Sequence, residues 1–235
     1  AASAPITVNG TTTINENRML SMGATLTASG AVNVNGTFRL NSSGGATGSG
    51  TWTYGSNATL AFNTTYGVDN GHVYWPTTNG PANVSVLTGI LTLNSGANRT
   101  VSGLFQTAGG VALSSATLTL NGTAQINAGG YFSNAPTYGA ASTLKYNTGA
   151  TYNRGTEWNS PANVQLSNNT TLNYPNTGGG AFSTNLSIPG NLTIDAGSSF
   201  FMDWGGGGNK SGRLTVGGNA VIAGNLSLGN AVGGD

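Results

Sequence analysis

Of carboxylates, imidazoles and thiols, the groups most used in acid–base and nucleophilic chemistry, this chain has six, one and none. The acids are Glu16, Asp69, Glu157, Asp195, Asp203 and Asp235, and none lies close to another in sequence. Cleavage of a glycosidic bond ordinarily needs two carboxylates facing it, and that spacing offers no such pair. His72 stands alone. A triad would need it beside a serine and an acid, but Asp69 three residues away and Gly71 beside it describe a solvated Asn-Gly turn. Asp69-Asn70-Gly71 could lend carbonyls to calcium, yet the Asp-rich nonapeptide of calcium-binding β-rolls is missing. Without cysteine there are no disulfides, no thiol catalysis and no thiolate metal sites. We therefore expect no catalytic residue, no metal and no cofactor, and a protein that is not an enzyme.

Arg154 and Glu157 read as a surface ion pair beside Trp158. The remaining groups with binding chemistry are aromatic. Tyr74 and Trp75 stand in one Gly- and Pro-rich stretch, and Tyr152 and Trp158 in another. Ring faces can stack on sugars or bury area against a protein partner with few polar demands, so these four are the candidate contact residues. The bland alternative is local packing that pins a long loop.

The elements that must position them repeat. Val32-Asn33-Val34-Asn35-Gly36-Thr37 returns about 85 residues later as Leu118-Thr119-Leu120-Asn121-Gly122-Thr123. Thr59-Leu60 with Phe62-Asn63-Thr64 returns as Thr143-Leu144 with Tyr146-Asn147-Thr148, and Trp75 before Pro81-Ala82-Asn83-Val84 returns as Trp158 before Pro161-Ala162-Asn163-Val164. Two modules result, at roughly 32–117 and 118–190, followed by a stretch 191–235 that looks set to continue into further repeats. Repeats of this kind stack rather than close into a globule.

Apolar triplets with a polar centre run throughout, among them Leu118-Thr119-Leu120, Val164-Gln165-Leu166 and Leu192-Thr193-Ile194. The outer two side chains of each fall on one side of a strand and the middle one on the other. Such short strands are stable only when paired with neighbours. The 39 glycines and the many asparagines suit turns that need positive φ. The expected fold is all-β: a parallel β-solenoid, or β-helix, with short strands and roughly 20–25 residues per coil. An antiparallel sandwich or barrel is the alternative. Asn35, Asn94 and Asn121 follow triplets and could form amide ladders along the axis. The segments 55–80 and 147–160 read as excursions out of the rod, with Gly205 to Gly208 as a third.

The net charge is +1, and the seven basic residues never cluster. Binding to phosphate backbones needs several cations on one face, so no nucleic-acid partner is expected. No apolar run nears the roughly 20 residues of a membrane span. The close, Leu226 to Asp235, stops in mid-pattern without a polar cap. We expect that end to be covered by more of the same polypeptide or by a neighbouring subunit.

The run Gly149-Ala150-Thr151-Tyr152-Asn153-Arg154-Gly155-Thr156-Glu157-Trp158, leading into Pro161-Ala162-Asn163-Val164-Gln165-Leu166, resembles repeats in very large secreted surface proteins of Bacteroidetes-type bacteria. So does the close, Leu214-Thr215-Val216-Gly217-Gly218-Asn219 to Ala231-Val232-Gly233-Gly234-Asp235. The likeness is one of repeat style. It implies adhesins or gliding-associated filaments exported by the type IX system, at the cell surface or outside the cell, and more generally β-helical passenger regions. Glycans or cell-surface molecules would be their partners. It supplies no catalytic residue. The expectation is thus an extracellular adhesive or structural rod. The other readings are a carbohydrate-binding or carbohydrate-processing β-helix, and an ice-binding solenoid whose Thr25-Leu26-Thr27, Thr51-Trp52-Thr53 and Thr117-Leu118-Thr119 would form a flat array.

Overall fold

A computed structural model describes residues 2–174, 182–202 and 210–227. Every element in it is a strand of two to seven residues, and every strand pairing is parallel. The chain is a parallel β-solenoid, as the triplets predict. A regular coil has three strands and three sides: Thr25–Ala28, Val32–Val34 and Thr37–Leu40 make one, and Gly45–Thr47, Trp52–Tyr54 and Thr59–Asn63 the next. Thr123, Thr143 and Asn163 are register partners, so coils there are 20 residues long.

One side is unbroken. Ten strands stack along it, from Met19–Met22 to Ala220–Ile222. The ladder crosses the junction between the two sequence modules without interruption, through Leu104–Thr107 paired with Thr123–Asn127. With ~4.8 Å between strands the sheet is about 40–45 Å long. Pairing in register stacks like upon like: Phe38, Leu60, Val84, Phe105, Ala124, Leu144, Val164 and Leu192 form one interior column. All eight are buried. Leu118, Leu120, Val164, Leu166, Leu192 and Ile194 point inward, while Thr119, Gln165 and Thr193 are partly exposed, in agreement with the period-two pattern.

The other two sides are broken into shorter sheets. The third side explains the two irregular segments. After Tyr66–Val68 the chain should supply a third-side strand before it rejoins the broad sheet at Asn83–Thr88, but residues 69–82 contain no strand. Residues 154–162 stand in the same way between Thr151–Asn153 and Asn163–Leu166. The sequence-based bounds, 55–80 and 147–160, were too wide, because Thr59–Asn63, Tyr66–Val68 and Thr151–Asn153 are regular rungs. The segments are also not excursions: each replaces the third strand of its coil and closes the cross-section. Gly205 to Gly208 lie outside the described residues.

Asparagine ladders exist, but mostly at other positions than the sequence suggests. Asn63 donates to Asn41, Asn147 to Asn127 and Asn173 to Asn153 across successive coils, at 2.9–3.0 Å. Asn94 donates to Asp69. Asn35 and Asn121 meet a glycine in the next coil, Gly55 and Gly139, where a Cβ would fall within 3 Å of the amide oxygen. Many glycines serve close approach rather than positive φ. A Cβ on Gly122 would stand 2.1 Å from the carbonyl oxygen of Gly103, whereas nothing lies within 4 Å of one on Gly10. Gly122→Ala should therefore destabilise the chain by roughly 1–3 kcal/mol, as overpacking does, and Gly10→Ala should be close to neutral in denaturant unfolding. Equal effects at the two positions would refute this account of the corners.

Candidate functional site

The two strand-replacing segments are built around matching plugs. Trp75 and Tyr74 are fully buried, and Trp158 is 7% exposed. This corrects the expectation that their rings stand on the rod surface as contact faces. Only Tyr152 is partly exposed. The reason is geometric. A coil without its third strand leaves a gap in its cross-section, and an indole is large enough to fill it. Trp75 lies 5.8 Å from the ring of Phe62, and Trp158 lies 6.2 Å from Tyr146 and 5.8 Å from Phe200. Tyr74 meets Phe38, Trp52, Tyr66 and His72 at 5.1–6.5 Å.

The anchoring is repeated too. Tyr54 donates its phenol to the carbonyl of Tyr74, and Tyr138, in the matching place, donates to the carbonyl of Glu157 at 2.8 Å. The modules differ where Tyr74 of the first corresponds to Glu157 of the second. Glu157 has no exposed surface. Its carboxylate accepts from the Tyr146 phenol at 2.9 Å and from the Gly155 amide at 2.8 and 3.0 Å. Phe62 in the first module has become Tyr146 in the second, which supplies the donor that a buried carboxylate requires. The surface ion pair expected between Arg154 and Glu157 does not form; burial of the acid among phenols takes its place. Among the described residues the one ion pair joins His72 Nε2 and Asp69 at 4.0 Å.

His72 is on its turn, but not freely solvated. Its Nδ1 accepts from the Asp69 amide at 2.8 Å, and its ring stacks on Tyr74 at 5.1 Å. Burial lowers its pKa, with Asp69 opposing and Arg99 assisting. No serine hydroxyl bonds to it among the described residues, so no triad assembles there. Among the same residues no group of three His, Asp or Glu could hold a metal. Asp203 and Asp235 lie outside the described residues.

Each of the two plug tryptophans carries an arginine 6.0 Å from its ring centre, Arg99 over Trp75 and Arg154 over Trp158. The sequence places Arg154 beside Trp158 only as a partner of Glu157, and it does not mark Arg99. Arg99 is only 2% exposed, and its guanidinium donates to the carbonyls of Asn98 and Asp69. Arg154 is less enclosed and also lies 4.8 Å from the ring of Tyr174. It lines a cavity of about 240 Å³ with Trp158, Asn159, Ser160, Tyr174, Leu186 and Ser187.

No known protein family, curated protein or solved structure matches this chain.

Two outcomes follow from the plugs. Trp158→Ala should cost about 3–5 kcal/mol, as large aromatic truncations in cores do, measured by denaturant unfolding; a change near zero would mean that the ring is not a structural filler. The phenols beside Glu157 behave differently. Burial, and then the nearby carboxylate, raise the pKa values of Tyr138, Tyr146 and Tyr152 above the ordinary 10.0. Their stabilising contribution is complete below pH 10, where folded and unfolded phenols are both protonated, and falls as pH rises further because only the unfolded chain ionises. Tyrosinate absorbance should therefore appear for these groups together with alkaline unfolding. In Glu157→Gln, which removes the carboxylate's contribution, it should appear at lower pH.

Proposed function

We propose that this chain is a non-enzymatic, extracellular rod: a stiff segment of a large bacterial surface protein that acts in adhesion or attachment. The observation that carries the reading is the broad sheet, ten parallel strands joined edge to edge along the axis. Its hydrogen bonds run between coils, so they resist bending and separation of the coils. The plugs close the cross-section where the third strand is missing. Low charge, 6% of residues, lets neighbouring rods lie side by side with little repulsion. Val221 is 56% and Ile222 42% exposed in the last described strand of the sheet.

Glycan processing finds little support. Glu157 is sealed inside the coil and bound on its accepting sides. The ice-binding reading needs a long file of outward threonines. Thr7, Thr27 and Thr47 align in one file, but the file on the broad sheet runs Thr37, Thr59, Asn83, Leu104, Thr123, Thr143, Asn163, a mixed surface rather than an array.

Beads carrying the chain should be retained under flow on polysaccharide-coated surfaces, and the same polysaccharides incubated with the chain should gain no reducing ends. Release of reducing ends that is lost on mutating a carboxylate would overturn the non-enzymatic reading. Retention no better than that of heat-unfolded chain would overturn the adhesive one.

A further inference from the structure

The contrast between the two tryptophan–arginine stacks points to a ligand. In the first module protein carbonyls receive the guanidinium of Arg99, and the site is closed. In the second, the Arg154 guanidinium makes no hydrogen bond and no ion pair with any described residue. Its Nε is shielded from solvent without a partner, as is that of Arg99, so the contrast lies in the terminal nitrogens, which carbonyls receive in Arg99 alone. Donors that no protein acceptor meets are open to solvent or to a ligand, and Arg154 lines a cavity.

We propose that the Arg154 cavity binds a single sugar unit bearing a carboxylate, a hexuronate, on the side of the rod. Three features select that class. A guanidinium presents a planar fork that matches a carboxylate with two parallel hydrogen bonds. The rings of Trp158 and Tyr174 hold that fork by stacking on it, and the small exposed parts of Trp158 and Leu186 give the cavity an apolar edge for the C–H groups of a pyranose. Asn159, Ser160 and Ser187 are exposed at the rim, where sugar hydroxyls would find amide and hydroxyl partners. The volume, about 240 Å³, is below the roughly 300–1,000 Å³ of sites for drug-sized ligands, so one residue of a polysaccharide fits and a longer stretch does not. Nearby acid does not compete: Glu157 is committed to Tyr146 and Gly155. The inference names a site that the rod reading does not require, so the two fail separately. A rod without uronate binding, or uronate binding on a chain that fails under flow, would each be recognisable.

The test uses the whole chain, titrated with galacturonate, galactose and acetate by calorimetry and by nuclear magnetic resonance. Galacturonate should shift the Trp158 indole N–H and the Arg154 Nε–H signals and bind at least about tenfold more tightly than galactose, as expected for a charge-assisted bond. Arg154→Gln should weaken it by a similar factor or more. Should that variant prove unstable, Ser187→Phe provides the second arm. It fills the cavity from an exposed strand position, should abolish binding, and leaves Arg154 and the melting temperature in place. Equal binding of galactose and galacturonate would overturn the proposal. So would undiminished binding by Arg154→Gln, or signals unmoved at saturating galacturonate. Acetate binding as tight as galacturonate would replace the sugar site with a general carboxylate site and overturn it equally.

Discussion

The parallel backbone ladder between coils is the constraint from which the rest of this structure follows. Strands of three to five residues cannot hold together alone. They persist because each lies in register between the strands of its neighbouring coils, and register fixes what must stack. Leu144 sits over Ala124 and under Val164 because their backbones are paired. The corner glycines obey the same constraint. With coils about 4.8 Å apart, a chain that turns at Gly122 passes the Gly103 carbonyl too closely for any Cβ. The demand for glycine is thus set by the pitch of the coil as well as by the angle of the turn.

The plugs show what happens when one rung is omitted. A missing strand removes side chains from the interior and hydrogen bonds from the rim. The chain replaces the first with an indole and the second with a tyrosine hydroxyl aimed at a backbone carbonyl, Tyr54 in one module and Tyr138 in the other. The surrounding polar groups then have to be matched case by case. Glu157 is tolerable inside the rod because Tyr146 and Gly155 face it, and Arg99 because two carbonyls receive it. Among the described residues the Arg154 guanidinium has no such match.

Period-two alternation made the coils legible: Leu118, Thr119 and Leu120 announce their orientation without reference to anything distant. The fold class followed from such triplets and from the module repeat. The direction of the aromatic side chains was not legible. Tyr74 and Trp75 stand among Gly, Pro and Asn, a setting that elsewhere marks exposed loops, and only the missing third strand turns them inward. That omission is a property of the coil and cannot be seen in the local sequence. Glu157 was misread for a related reason. Its donor, Tyr146, is eleven residues away on another side of the coil. One signal was available: Phe62 becomes Tyr146 where Tyr74 becomes Glu157, a paired change between aligned modules. Arg154 was noticed for the wrong partner.

That paired change bears on how the polypeptide finds its fold. Copies about 85 residues apart could exchange places while the chain assembles, since the ladder itself accepts any coil of similar length. A frame slip of one module would set Glu157 against Phe62, leaving a carboxylate without a donor in an apolar interior. Such a mismatch costs far more than the small differences among Leu, Val and Ile rungs. The two plugs therefore act as addresses in an otherwise degenerate repeat, and a chain with identical modules would be expected to entangle with its own copies more readily than this one.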